Sequence, residues 1–241
     1  MDKGIGFNRN IKRAWLDAAA AFCAESNDGA AVRARLEPII GLELNSPTNI
    51  RKAIDILLNI WQKSEEISPS LYREAVAIFQ ETAVPEDRLW LHYGLTLLTY
   101  PFFNTVTGII GRMGRYEAEF TAVQVKTQAM ADLGQLGSLD AAISRIIFSL
   151  RDWGILADGA KRHQYTLQYQ HLITEQTRLE TWLLACVLEA HSADELPMAD
   201  LIKLPQLFPF HLTVGIGELR THSGVEVQRQ GLGLDMIRVV G

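Results

Sequence analysis

The sequence is poor in the features that announce a function. Only two cysteines occur in 241 residues, Cys23 and Cys186, each inside an apolar run. That argues against a disulfide scaffold and a cysteine-based zinc site, and fits two buried thiols in a reducing cytosol. No stretch approaches the roughly 18 uninterrupted apolar residues that span a bilayer. The opening MDKGIGFNRNIKRAW is polar and basic where a signal peptide needs an apolar centre. Cationic excess is missing as well. The 23 Lys and Arg stand against 28 Asp and Glu, a net charge of −5, which excludes a uniformly basic nucleic-acid coat but leaves room for a local patch. The expectation is a soluble, cytoplasmic protein with no membrane association.

Catalytic signatures are scarce too. His92, His163, His171, His191, His211 and His222 show no HExxH spacing, and none adjoins a cysteine ligand. His191 and Asp194 have a spacing that could hold a metal from a helix end, yet a histidine there is ordinarily favoured by the helix dipole. Glu65-Glu66 and Asp194-Glu195 are adjacent, and a helix points neighbours apart. Glu117 and Glu119 have no evident acid–base partner. No GxSxG occurs, and VGIGE at 214–218 lacks the lysine of a nucleotide loop. The reading is therefore no enzyme, no cofactor and no metal.

What the chain does contain is material for a core: 48% of residues are hydrophobic, which excludes wholesale disorder. The first hundred residues read as helices. Residues 10–25 carry Ile11, Trp15, Ala18, Ala19 and Phe22 at helical spacing, and 29–40 form a shorter candidate. Ser46-Pro47 and Ser68-Pro69 supply a capping residue followed by a proline suited to the first turn. The first pair predicts one helix to about Glu66 through Ile50, Ile54, Leu57, Leu58 and Trp61. Pro85 starts another, which Tyr100-Pro101 breaks. Gly108, Gly111 and Gly114 then recur every three residues, a small-residue face for close packing of another helix.

The stretch 102–169 is the most informative. Phe120-Thr121 gives a hydrophobic residue and an N-cap, followed by a short helix through Val125, Ala129 and Leu133. GQLGS turns the chain to Ser138, a second cap, and a helix over 139–153 ends at Gly154. A short apolar segment at 155–157, a polar turn at 158–162 and an alternating strand at 163–167 follow. Helix, helix, turn, helix, hairpin is the order of a winged helix-turn-helix, and SLRDWGIL is similar to the end of the third helix in many such domains. On the 139–153 helix, Leu139, Ile143, Ile146, Ile147, Leu150 and Trp153 form the core stripe. The opposite face presents Arg145 and Arg151 for phosphates or guanine edges. It also presents Asp140 and Asp152, which repel phosphates, and Phe148, which suits a protein partner. Lys161, Arg162 and His163 sit where a wing touches backbone. Arg9, Lys12 and Arg13, with Lys3, make the N-terminal segment a basic arm.

Beyond residue 170, Thr174 starts a helix over about 175–191, Asp194 to Leu204 reads as another, and Leu212 to Arg220 as a third weakened by Gly215 and Gly217. Alternating strands at 225–229 and 234–239 flank a glycine turn. This suggests either a second, degenerate winged helix or a helical cap that finishes the core. The predicted fold is mainly α, with a helical part at 1–100, a winged-helix-like domain at 101–170, and helices plus a small β-hairpin at 171–241. The net charges of 1–100, 101–175 and 176–241 are −2, 0 and −3, so the middle segment is the least acidic.

One family resemblance follows from the order of these parts over residues 8–160. A basic arm, a short helix, the helix start NSPTNIRKA at 45–53, a helix pair around Leu89–Phe103 and the winged element at 120–167 together resemble the small A component of bacterial BREX phage-exclusion systems. The resemblance implies an all-helical DNA-binding accessory of phage defence without catalysis of its own. It adds Arg51 and Lys52 to Arg145 as candidate phosphate contacts. The leading expectation is thus a non-enzymatic DNA-binding protein. The alternative is a protein-interaction scaffold that docks a partner or a second copy through Phe148. A small-molecule-sensing regulator is a third, resting only on the large helical part.

Overall fold

The computed structural model describes residues 5–82, 84–134, 137–231 and 233–240. Lys3 of the basic arm, part of the turn at 134–138 and Leu232 of the last turn lie outside the described residues. The first third is helical: α1 (Arg13–Glu25), α2 (Gly29–Gly41), α3 (Pro47–Leu58), α4 (Ser64–Ile67), α5 (Pro69–Glu81) and α6 (Pro85–Thr99). Pro47, Pro69 and Pro85 each occupy a first turn, where the missing N–H costs nothing. Ser46 and Ser68 do not make the capping hydrogen bonds expected of them. By contrast Asp28 caps α2, accepting from the Ala30 N–H at 2.9 Å.

The single helix expected to run to residue 66 is interrupted by a π-helical turn, Asn59–Lys63. The wide turn carries both Ile60 and Trp61 into the core. The buried Ser64 satisfies its hydroxyl on the Ile60 carbonyl at 2.7 Å. Helix α6 is buried almost all round from Leu89 to Leu98, the pattern of a helix with neighbours on every side.

Two modules of the same order follow. The first is α7 (Pro101–Met113), β1 (Phe120–Thr121), α8 (Ala122–Leu133), α9 (Leu139–Asp152), β2 (Leu156–Asp158) and β3 (Gln164–Leu167). The second is α10 (Thr177–Glu189), β4 (Glu195–Pro197), α11 (Met198–Leu201), α12 (Ile216–Thr221), β5 (Val225–Gln230) and β6 (Leu234–Val239). Both sheets are antiparallel, and in each the first strand pairs with the last: β1-β3-β2 and β4-β6-β5. The fold is mainly α, with both small sheets in the C-terminal half.

Several expectations need correction. Asp194 to Leu204 is not one helix but β4 and the single turn α11, because pairing with β6 claims Glu195–Pro197. Helix α12 starts only at Ile216, since Thr213 and Val214 donate their backbone N–H groups to the buried Glu180 carboxylate at 2.6 and 2.8 Å. Thr174 does not cap α10; its hydroxyl accepts from the Gln176 N–H instead. The glycine face of α7 packs closely on the short 3₁₀ helix Pro205–Leu207 at Gly111 and on strand β3 at Gly114. A Cβ on Gly111 would fall 1.9 Å from the Pro205 carbonyl oxygen, and one on Gly114 would strike Leu167. No described helix is long and apolar enough to cross a membrane.

Candidate nucleic-acid interface

The first module is built from strong local signals. Thr121 Oγ1 accepts from the Gln124 N–H at 3.3 Å while Gln124 Oε1 accepts from the Thr121 N–H at 2.8 Å, a capping box that starts α8. Helix α9 buries Leu139, Ile143, Ile146, Ile147 and Leu150, as its spacing predicts. Gly154, at φ +77°, ends it: the Ile155 N–H reaches back to the Leu150 carbonyl at 2.8 Å, closing a Schellman-type cap. Ser138 precedes α9 but makes no side-chain cap.

The hairpin after α9 is braced. Phe120 pairs with Tyr165 and Thr121 with Gln164, so β1 flanks β3 and makes it the central strand of the sheet. Sequence reasoning missed this two-residue strand, which is too short to show a period. At the tip, Glu119 accepts from the Ala160 N–H at 2.7 Å, and Gly159 donates to the Gln164 carbonyl at 2.7 Å. Lys161, Arg162 and His163 are exposed on this held turn, with His163 at φ +65°.

Residues 7–13 are not a free arm. Phe7 is fully buried between Tyr100 and Phe103, with ring centroids 5.5 and 5.4 Å away, and Ile11 is fully buried. The Ile11 N–H donates to Ser149 Oγ at 2.9 Å, and Trp153 Nε1 donates to the Ile11 carbonyl at 2.9 Å. These anchors lay residues 7–13 along the flank of α9, with the Arg13 guanidinium turned to the start of α6. Arg145 itself donates to Asn10 Oδ1 at 3.2 Å.

The two aspartates that weakened the sequence argument are both engaged. Asp140 pairs with Lys126 of α8 at 3.0 Å, and Asp152 accepts from the Arg13 N–H at 2.7 Å. Arg151 is neutralised by Asp158 at 2.6 Å and lies over the Tyr165 ring. Lys12 pairs with Glu43, and that hydrogen bond raises its pKa above the usual lysine value. Arg9 and Arg13 donate to carbonyls, of Asn8 and Pro85. Among the described residues no carboxylate pairs within 4.0 Å with Arg9, Arg13, Arg145, Lys161 or Arg162. Arg51 and Lys52 lie on α3, and no described hydrogen bond or ion pair joins them to α9. Phe148, expected to be an exposed anchor, is only half-exposed.

Two histidine–carboxylate pairs were invisible in the sequence, since their members are far apart along the chain. His92, fully buried, has its Nε2 3.1 Å from Asp17 Oδ1, while Trp61 Nε1 donates to its Nδ1 at 3.2 Å. Burial drives the His92 pKa below its ordinary value, so the ring is neutral with its proton on Nε2. Burial pushes Asp17 up, but the hydrogen bond from His92 and the charges of Arg13 and Arg88 hold it below its usual value. His222 Nε2 lies 3.0 Å from Glu74 Oε2, and its Nδ1 accepts from the Gly224 N–H at 3.2 Å. Both ring nitrogens of His92 are thus occupied by the protein's own groups, whereas His222 Nε2, buried and close to Glu74, makes no aligned hydrogen bond. Cys23 and Cys186 are free and buried; burial pushes the Cys23 thiol up to about 12 and Cys186 well above its ordinary value. Among the described residues no group of three or more His, Cys, Asp or Glu is placed to hold a metal.

Comparison with protein-family models, curated proteins and solved structures gives no match to this chain.

Proposed function

We propose that this chain is a non-enzymatic, cytoplasmic DNA-binding protein whose first module works as a winged helix-turn-helix. The observation that carries the reading is the distribution of charge around α9. Arg9 and Arg145 have no described carboxylate within pairing distance, Lys161 and Arg162 are exposed at the braced hairpin tip, and Asp140 and Asp152 are already engaged. Such a surface attracts phosphates through counterion release even though the whole chain is acidic. Phosphate contact through Arg9 and the tip would position the duplex, leaving Arg145 and Ser144 toward the groove. Lys12 and Arg151 contribute less, because each charge is compensated. The β1-β3-β2 order supports the reading, since the strand before α8 holds the wing against the helices.

The accessory role in bacterial phage defence implied by the resemblance belongs to the same proposal. Titrating a short labelled duplex at low and at moderate salt tests it. Binding that falls steeply with salt is the expected result; no binding to any duplex at low salt removes the proposal. The scaffold reading through Phe148 has less to stand on, because that ring offers only part of its surface.

A further inference from the structure

A groove of about 450 Å³ runs between the end of α7, the segment linking the two modules and the stretch 202–214. It is a built feature. The Gly111 backbone admits the Pro205 carbonyl where a side chain would collide, and Arg115 donates to the Lys203 carbonyl at 2.5 Å. The Gln170 and Leu172 N–H groups bond to the carbonyls of Phe208 and Pro209 at 2.8 and 2.9 Å, which fixes the opposite wall.

The chemistry of the lining is one-sided. Phe208, Phe210 and Leu212 back the groove, the two phenylalanines almost wholly buried, and its exposed apolar surface comes from Tyr169 and Ile202 at its lips, 53% and 39% exposed. The ionisable groups that line it are Arg115 and Lys203, both cationic and exposed, in a chain of net charge −5. Arg115 bonds only to a carbonyl, so its charge is not neutralised, and no described carboxylate pairs with Lys203. Large exposed apolar side chains beside uncompensated cations are costly to leave in water and complement a ligand that carries the reverse pattern.

We propose that this groove docks an extended segment of a partner protein in which a carboxylate sits beside large apolar side chains. The apolar side chains cover Tyr169 and Ile202, and the carboxylate meets Arg115 and Lys203. The volume lies in the ordinary range for a recognition cleft, and a bidentate guanidinium–carboxylate contact would fix the register of the segment. A nucleic acid has phosphates for the two cations but no apolar side chains for Tyr169 and Ile202, which is why a peptide is the occupant the lining favours.

The test selects a phage-displayed random peptide library on the full chain, with Lys203→Glu as the counter-selection. Enriched peptides should carry Asp or Glu next to Leu, Ile or Phe. Their affinity, measured by fluorescence polarisation, should fall at least tenfold on Lys203→Glu and on Ile202→Asp, both surface changes. Amide shifts on adding a selected peptide should centre on residues 111–115 and 202–214. Enrichment of basic peptides, no enrichment, or equal binding by Lys203→Glu would overturn the proposal. So would a Lys203→Glu chain that keeps peptide affinity but loses duplex affinity, because the cations would then belong to a nucleic-acid surface.

Discussion

The carboxylate of Asp152 accepts a hydrogen bond from the backbone N–H of Arg13 at 2.7 Å, across 139 positions of sequence. One residue on, Trp153 does the same work in reverse, donating its indole N–H to the Ile11 carbonyl. The C-terminal turn of α9 and the start of α1 are thus one structural unit. Any account of nucleic-acid binding has to treat residues 8–13 as part of the surface of α9, not as a flexible tail.

Trp153→Phe separates that anchoring from core packing. Phenylalanine keeps an aromatic ring in the buried site but leaves the Ile11 carbonyl without its donor. The loss of one buried hydrogen bond should cost about 1–2 kcal/mol in urea unfolding. Amide exchange at residues 7–13 should rise well before global unfolding, because the segment then loses the one bond that ties its Ile11 carbonyl to α9. Unchanged exchange there would mean that Phe7 and Ile11 suffice as anchors.

Charge compensation sets an order among the arginines. Arg145→Ala removes an uncompensated cation and should weaken duplex binding by roughly 3- to 10-fold, lowering the salt slope by about 1. Arg151→Ala should do less, because Asp158 already neutralises that guanidinium. Asp158→Asn should tighten binding by a few-fold, since it frees Arg151 without removing any positive charge. Lys161→Ala with Arg162→Ala should reduce the slope further. Equal effects of Arg145→Ala and Arg151→Ala would show that pairing within the free protein does not govern the contact.

Much of the first module was legible because its signals are local. Thr121 as a cap, the stripe Ile143–Ile146–Leu150 and Gly154 each act within a few residues, and each appears where the spacing places it. The failures share a different cause. The strand Glu195–Pro197 exists only because β6 returns to pair with it, and the delayed start of α12 is set by Glu180, which is 33 residues away from Thr213. The candidate surface divides in the same way. Arg145, Lys161 and Arg162 were found from one module's pattern. The docking of residues 7–13 along α9 depends on contacts that no period in the sequence records. The engagement of Asp140 by Lys126 likewise needed the α8–α9 packing to be seen.

The His92–Asp17–Trp61 cluster predicts an acid-sensitive bundle. The folded-state pKa of His92 is depressed, so the unfolded chain binds the extra proton first. Stability from this group is complete above the ordinary value of 6.5 and is lost as pH falls below it, toward the folded pKa. Asp17, depressed from 3.8, adds a second loss only at lower pH, as pH falls below that ordinary value. Glutamine at position 92 can accept from Trp61 and donate to Asp17 without titrating. His92→Gln should therefore flatten the dependence of Tm on pH between 7 and 5 relative to the parent chain. Parallel curves would assign the acid sensitivity elsewhere.

Gly94 and Gly217 make opposite predictions for the same substitution. A Cβ on Gly94 would come 2.6 Å from the Trp182 ring, and that ring cannot retreat easily because its N–H is held by the Leu71 carbonyl at 2.9 Å. Overpacking of this kind costs about 1–3 kcal/mol, against a helix-propensity gain of about 1 kcal/mol for alanine. Gly94→Ala should therefore be net destabilising, with the α6–α10 contact the first to loosen. Gly217 lies on α12 with nothing within 4 Å of its Cβ position and an ordinary φ, so there the propensity gain acts alone. Gly217→Ala should leave stability unchanged or raise it by up to about 1 kcal/mol. Denaturant unfolding of the two variants side by side gives the comparison. A stabilised Gly94→Ala would mean that α6 and α10 can slide apart at little cost, and that the close approach at Gly94 is not what holds the second module to the helical core.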